Sequence, residues 1–314
     1  MKNQPKIALG TWSWGAGAAG GDQVFGNNLT AEELKPVFDA SIKAGLNLWD
    51  TAAVYGMGAS ESILGEFVRQ YPREELILST KFTPQIASDS PDTMREMFEG
   101  SCERLGTDYI DIYWIHNPVD APKWIPDLVP LLKSGKVRNV GVSNHNLAQI
   151  KEANSILAQE GFRVSAVQNH YSLLYRSSEK AGILDYCKEN DIVFYAYMVL
   201  EQGALTGRYN TSNPLPAGSG RGETYNSLLP ELEELINAMQ EIGSTHNASV
   251  SQIAMAWAIA KDTLPLIGVT KPKYVEEAAG ATTIRLSPQE VVTLENMATK
   301  AGVDTKGAWE NPME

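Results

Sequence analysis

Eight short apolar runs, each followed by a stretch of helical periodicity, alternate along the 314 residues of this chain. Strands are expected at 7–9, 46–50, 76–81, 110–116, 137–143, 165–169, 192–197 and 264–267. Strands separated by helix-length segments must run parallel, because the crossover carries the chain back to its starting edge. Eight such units fit a closed barrel better than an open doubly wound sheet. The expected fold is therefore α/β, a (β/α)8 TIM barrel, as one domain over residues 1–314. A loose glycine fingerprint around Gly15 and Gly17 lies in a loop with no helix expected after it, which argues against a dinucleotide-binding Rossmann unit.

Local signals mark the helix ends. Thr30 with Glu33, and Ser287-Pro288 with Glu290, read as capped starts; Gly45 reads as a stop. Ser90-Pro91 and Ser178 open two further helices. The stretch 210–222, rich in Gly and Pro, reads as one long loop after strand seven, placed to act as a mobile lid. A net charge of -12 argues against nucleic acid or an acidic membrane as the main partner. The N-terminal stretch has no apolar leader core, and the longest apolar run, 253–260, is too short to span a bilayer, so a cytoplasmic location is expected. Cys102 and Cys187 suggest neither a disulfide framework nor a metal spacing, and no metal site is expected.

In a barrel of this class, chemistry sits where the strands end. Strand two ends in Asp50, with Tyr55 in the loop beyond it; strand three ends in Lys81 and strand four in His116. Singly, each has an ordinary structural reading: a strand-end cap, a packed ring, a solvated cation, a satisfied imidazole. Together, on consecutive strands, they place a carboxylate, a phenol, an amine and an imidazole on one rim. A free Tyr titrates near 10, and a neighbouring ammonium lowers that value. Lys81 is expected to supply that charge, with Asp50 holding it and His116 orienting a substrate oxygen. Tyr55 then serves as general acid to a carbonyl receiving hydride, or as base in reverse. No side chain delivers hydride, so a cofactor must.

These four residues, in this order, resemble the catalytic tetrad of the aldo-keto reductases, and the resemblance runs along essentially the whole chain. It implies a nicotinamide cofactor held without Rossmann glycines. Gly10, Thr11 and Trp12 resemble the family's first strand end. Within 135–144, Ser143 and Asn144 match the residues that hydrogen-bond the nicotinamide amide, and Gln168 matches a third contact; Asp50 also lies beside that ring. Tyr197 matches the aromatic that stacks on the ring, followed by Leu200, Gln202, Gly203, Leu205 and Gly207 in the pyrophosphate region. Gly268, Thr270, Lys271 and Glu277 match the adenosine-phosphate end. Relatives commonly carry Arg at the position of Thr270 and Asn at that of Ala278. NADP(H) is the preferred cofactor, held by Lys271 as a point charge, with NAD(H) also possible. Met198-Val199 replaces a Ser-Pro pair common in the family.

The resemblance implies an NAD(P)(H)-dependent carbonyl reductase or alcohol dehydrogenase acting on a small-molecule carbonyl or alcohol. Trp12, Trp14, Tyr55, His116 and Asn117 are the expected substrate contacts, with Trp114 and the loop 16–26 shaping the pocket. Asn117, where many relatives have Trp, and the glycine-rich loop lean towards hydroxylated or sugar-like carbonyls. Two other functions compete: a cofactor-binding, redox-sensing subunit of a larger complex, and a phosphate-handling barrel isomerase or lyase without a nicotinamide. Reaction direction and oligomeric state have no signature in the chain.

Overall fold

The computed structural model describes residues 4–313; the first three residues of the N-terminal stretch discussed above lie outside that range. Eight parallel strands close into a barrel in sequence order: β1 Ala8–Gly10, β2 Leu48–Asp50, β3 Ile77–Phe82, β4 Ile110–Ile115, β5 Val137–Ser143, β6 Val164–His170, β7 Val193–Tyr197 and β8 Leu264–Gly268. Closure comes from β1 pairing with both β2 and β8, where Gly10 faces Asp50 on one side and Gly268 on the other. All eight expected strands are present, with ends that move by one or two residues. β1 and β8 reach one residue further, to Gly10 and Gly268, and β2 begins at Leu48.

Alternation along each strand divides the apolar residues between two cores. Inward-facing Leu48, Ile112, Trp114, Ala166, Tyr195 and Leu264 fill the barrel, all buried. Outward-facing Ile7, Leu9, Trp49, Leu78, Ile115 and Val142 pack beneath the helices. The large indole of Trp114 dictates a glycine on the next strand: a Cβ on Gly141 of β5 would come 2.0 Å from the Trp114 ring. Trp114 was expected to shape the pocket. It lies instead in the barrel interior, edge-on to Tyr195 at 5.2 Å.

Two helices begin where the sequence signals them, while the one expected to open at Ser90-Pro91 starts later, at Thr93, with Asp92 in the N-cap position. Thr30 and Glu33 form a reciprocal cap for Ala31–Lys43, and Ser287 and Glu290 do so for Pro288–Ala301. The helix expected after Ser178 is broken, because Gly182 adopts φ 75 between Ser177–Lys180 and Ile183–Glu189. Two expectations of pure loop are corrected. A five-residue helix, Gly21–Phe25, follows the Gly15–Gly17 turn. The end of 210–222 enters a helix, Gly220–Tyr225, capped by the Ser219 hydroxyl accepting from the Gly222 N–H. No helix among the described residues is long and apolar enough to cross a membrane.

Candidate active site

Strand register brings the four candidate catalytic groups together. Asp50 pairs with Ser79, and Lys81, two residues on, projects from the same face of β3. The Lys81 ammonium is fully buried and donates to an Asp50 carboxylate oxygen, to the Thr51 carbonyl at 2.8 Å and to the Tyr55 hydroxyl at 3.4 Å. The second Asp50 oxygen accepts from Ser79 Oγ at 2.7 Å and from Gln168 Nε2 at 3.1 Å. Ser79 Oγ in turn accepts from Trp114 Nε1 at 2.5 Å. A polar chain thus runs from the packed barrel interior to the phenol. A buried ion pair holds only when its remaining valences are filled, as they are here. Ser79 was not picked out from sequence, although its alternation with Lys81 was the available signal.

The loop that delivers Tyr55 turns sharply, with Gly56 at φ 58 and Met57 at φ 50. A Cβ on Gly56 would come 2.8 Å from the Ala16 carbonyl oxygen, so a side chain is excluded there. The phenol stacks against Trp12 with centroids 5.8 Å apart and meets His116 edge-on at 5.8 Å. His116 Nδ1 lies 2.7 Å from Thr83 Oγ1. Burial, reinforced by the Lys81 cation, holds the His116 imidazole well below its ordinary pKa, and therefore neutral.

The expected lowering of the Tyr55 pKa is not the net result. Burial raises it more than the pull of Lys81 lowers it, and Asp50 adds to the rise. The phenol stays protonated, which is the form a proton donor needs. Lys81 shows the opposite balance: burial alone lowers its pKa, but attraction from Asp50 and Tyr55 outweighs this, and the net direction is up.

Above this floor lies a cleft of about 1110 Å3. Its polar wall carries Ser143, Asn144 and Gln168 at the ends of β5 and β6, where Ser143 pairs with Gln168. Asn144 donates to the His116 carbonyl at 2.9 Å and accepts from the Tyr197 hydroxyl at 2.6 Å. Gly10, Thr11, Leu200, Gln202 and Gly203 line the next portion, and Gly268, Thr270, Lys271 and Glu277 the far end. Lys271 immediately precedes the helix Pro272–Ala281, so its ammonium adds to the positive end of that helix.

Four expected site residues fall outside the cleft lining. Trp14 is core: its Nε1 donates to the Val269 carbonyl at 2.7 Å, and its ring packs on Trp49 at 5.2 Å and Phe67 at 6.1 Å. Leu205 is fully buried beneath the loop, and Gly207 packs against Val250. Lys81 sits under the floor and reaches the cleft through Tyr55. The loop 16–26 contributes Ala19 and Phe25 to the cleft, and the cleft also gains residues that sequence reading missed. Phe25 and Trp309 meet Trp12 edge-on at 5.2 and 6.2 Å. Arg208, Arg221 and Lys273 bring cations to the cofactor-sized end. Arg221 lay inside the stretch read as a lid; the only signal was its positive charge in a glycine-rich loop. Trp309 offered no signal, because its partners are some 110 residues or more away in the chain.

The residues fit an anionic dinucleotide. The Arg221 Nε is buried without a protein partner, while its Nη1 reaches only the Gln202 carbonyl at 3.5 Å. A Cβ on Gly268 would meet nothing within 4 Å, leaving the backbone open to close approach from the cleft.

The chain matches the model of the Aldo/keto reductase family over residues 6–299. It is 30% identical to the chloroplastic pyridoxal reductase of Arabidopsis thaliana, over 94% of this chain and 83% of that protein. It is 29% identical to the NADH-specific methylglyoxal reductase of Escherichia coli, over 93% of this chain and 94% of that one. An aldo-keto reductase of Klebsiella pneumoniae, solved in complex with NADPH, superposes with a TM-score of 0.72 at 26% identity, covering 94% of this chain and 91% of that one. A family match spanning nearly the whole sequence, on a closed eight-stranded barrel, makes this protein a member of the aldo/keto reductase family.

Proposed function

We propose that this protein is an NADP(H)-dependent oxidoreductase that interconverts an aldehyde or ketone and its alcohol, with Tyr55 as the proton donor. The observation that carries the reading is the protonated Tyr55 phenol, 3.4 Å from a buried ammonium, on the floor of a cleft large enough for a dinucleotide. A bound nicotinamide supplies the hydride for reduction and accepts it in oxidation. The chain's own groups do the rest. Tyr55 gives its proton to the carbonyl oxygen as hydride adds at carbon, and Lys81 stabilises the phenolate left behind. His116 is neutral, with Nδ1 2.7 Å from Thr83 Oγ1; in the tautomer in which Thr83 donates to Nδ1, the proton sits on Nε2 and is donated as a hydrogen bond to the same oxygen. Ser143, Asn144 and Gln168 would fix the carboxamide and Tyr197 the ring plane. Lys271, Lys273, Arg208 and Arg221 favour the extra phosphate of NADP(H). The Escherichia coli relative named for NADH leaves NAD(H) as the second cofactor to assay.

Trp12, Phe25 and Trp309 wall the pocket beside Tyr55 with aromatic faces and edges. Asn117, which suggested hydroxylated substrates, already donates to Gln85 Oε1 at 2.6 Å and accepts from the Val119 N–H at 3.2 Å at the rim. The pocket therefore favours a carbonyl on a flat aromatic or conjugated body over a sugar-like one. NADPH oxidation should be faster with a benzaldehyde-type substrate than with an aldose of equal carbonyl reactivity. Tyr55→Phe should lower kcat by about 10²–10⁴-fold while leaving the Kd for NADPH unchanged; normal turnover by this variant would remove Tyr55 from its role.

A further inference from the structure

Behind Tyr197, on the side away from the cleft, His170 at the end of β6 stands between two carboxylates. Its Nε2 lies 2.9 Å from Glu201 Oε1 and its Nδ1 2.8 Å from Glu310 Oε1, and all three side chains have 0% exposure. The acids lie 31 and 140 residues away in sequence. The imidazole is itself sandwiched, with Tyr175 on one side at 4.3 Å and Tyr197 stacked at 5.6 Å. An imidazole with a carboxylate at each nitrogen donates from both only when it is protonated.

Each acid belongs to a segment that forms part of the cleft. Glu201 opens the loop carrying Gln202 and Gly203, and both Glu201 and Gln202 adopt left-handed backbone, at φ 45 and 51. Non-glycine residues hold that conformation only when their surroundings compel it. Glu201 is compelled by its side chain: Oε2 accepts from the Tyr225 hydroxyl at 2.6 Å, and Oε1 accepts from Ser172 and, at 3.0 Å, from Thr305. Glu310 lies in the C-terminal segment, where no helix or strand follows Ala301 among the described residues and only Thr305, Glu310 and Met313 are buried. Met313 Sδ accepts from Asn169 at 3.5 Å, and Glu310 Oε1 also accepts the Gly307 N–H at 3.2 Å. Between these anchors Trp309 stays half exposed, crosses to the cleft and donates to the Tyr197 hydroxyl at 3.3 Å.

We propose that Glu201, His170 and Glu310 form a buried charge clasp that ties the C-terminal wall of the substrate pocket to the cofactor-side loop. His170 and Glu310 are thus positioning residues that set carbonyl specificity through Trp309. Buried ion pairs add little stability over well-packed apolar side chains, whereas a segment with no secondary structure needs directional contacts to hold one register. The clasp supplies them at a single point shared by the ring-stacking tyrosine, the strained loop and the pocket wall. The specificity half of this inference rests on the carbonyl-reductase reading; the mechanical half does not.

The test uses the full-length chain in two arms. In the first, amide hydrogen exchange is followed on the protein without added cofactor, in peptides covering 199–206 and 306–313. His170→Asn should speed exchange in both segments by about tenfold or more, and Glu310→Ala chiefly in the second. Unchanged exchange in either segment of His170→Asn would overturn the clasp. In the second arm, NADPH-dependent reduction of an aromatic aldehyde is compared in Glu310→Ala, Trp309→Ala and the double variant. Glu310→Ala should raise the carbonyl KM by about tenfold with kcat nearly unchanged, and the double variant should be no worse than Trp309→Ala. Multiplying effects would show that Glu310 does not act through Trp309. If Glu310→Ala does not fold, Glu310→Gln, which retains a neutral acceptor for Nδ1, carries the same comparisons with smaller effects. Absence of any turnover by the unmodified chain would defeat the carbonyl-reductase reading, while the exchange arm would still decide the clasp.

Discussion

Replacing Asp50 by Asn tests the electrostatic core of the site, because it keeps shape and removes only charge. Asp50 and Lys81 have side chains 2% and 0% exposed. In Asp50→Asn the amide must turn its NH2 either toward the ammonium or toward the Ser79 and Gln168 donors, so at least one polar contact is lost whichever way it lies. Lys81 keeps the Thr51 carbonyl and the Tyr55 hydroxyl as acceptors but loses its counter-charge. Removing one member of a buried pair costs about 3–5 kcal/mol. That cost has a characteristic pH dependence. With Asp50 present the Lys81 pKa lies above its ordinary value, so the pair's contribution is full below about 10.4 and is lost only as pH rises through the raised value. Without Asp50, burial is opposed only by Tyr55, and the Lys81 pKa is expected to fall below the unfolded value of about 10.4; the unfolded chain then binds the extra proton, and stability rises with pH. The deficit of Asp50→Asn should therefore be largest near neutrality and narrow by about 1 kcal/mol or more towards pH 9.5. Urea unfolding of both proteins at the two pH values measures this difference, and other titrating groups cancel in it. A deficit below about 1 kcal/mol, or one equal at both pH values, would refute the paired-charge account.

Three further outcomes follow from other parts of the molecule. Gly141→Ala should lower stability by about 1–3 kcal/mol or more, because its Cβ would fall 2.0 Å from the Trp114 ring; an unchanged urea midpoint would mean that the barrel interior has room it does not show. Burial lowers the pKa of His170, but Glu201 and then Glu310 outweigh it and push it up to about 9. The clasp's stabilisation should thus be full below about 6.5 and decline as pH rises through about 9, read as the pH dependence of the difference in unfolding free energy between the unmodified chain and His170→Asn; Tyr175 and Tyr197 at the ring faces, Tyr225 on Glu201 and Asp304 near Tyr175 are the other titratable groups around it. Lys271→Ala should weaken NADPH binding by about tenfold and NADH binding far less, measured by quenching of tryptophan fluorescence, since only the former carries the extra phosphate; equal losses would place that phosphate on Arg208, Arg221 or Lys273 instead.

Sequence by itself determined what depends on near neighbours and on period. Apolar runs of strand length, separated by capped helices, call for parallel strands, and eight such units favour a closed barrel over an open sheet. Residues at the strand ends share a rim in any such barrel, so Asp50, Tyr55, Lys81 and His116 are identifiable as a group, whereas Ser143, Asn144, Gln168 and Tyr197 were marked out by the family resemblance. Tertiary structure alone decided matters in which distant segments meet. Trp12 and Trp14, two residues apart, divide between pocket and core, because the turn after β1 sends one ring over Tyr55 and the other under Val269. The sign of the Tyr55 shift depends on how much burial opposes Lys81, and burial is a property of the assembled cleft. The aromatic wall needs Trp309 to return beside Trp12, and the imidazole of His170 acquires its two acids only when 201 and 310 close around it. Local propensity can place a charged residue at a strand end; only the folded chain decides which charge it faces and how much water lies between them.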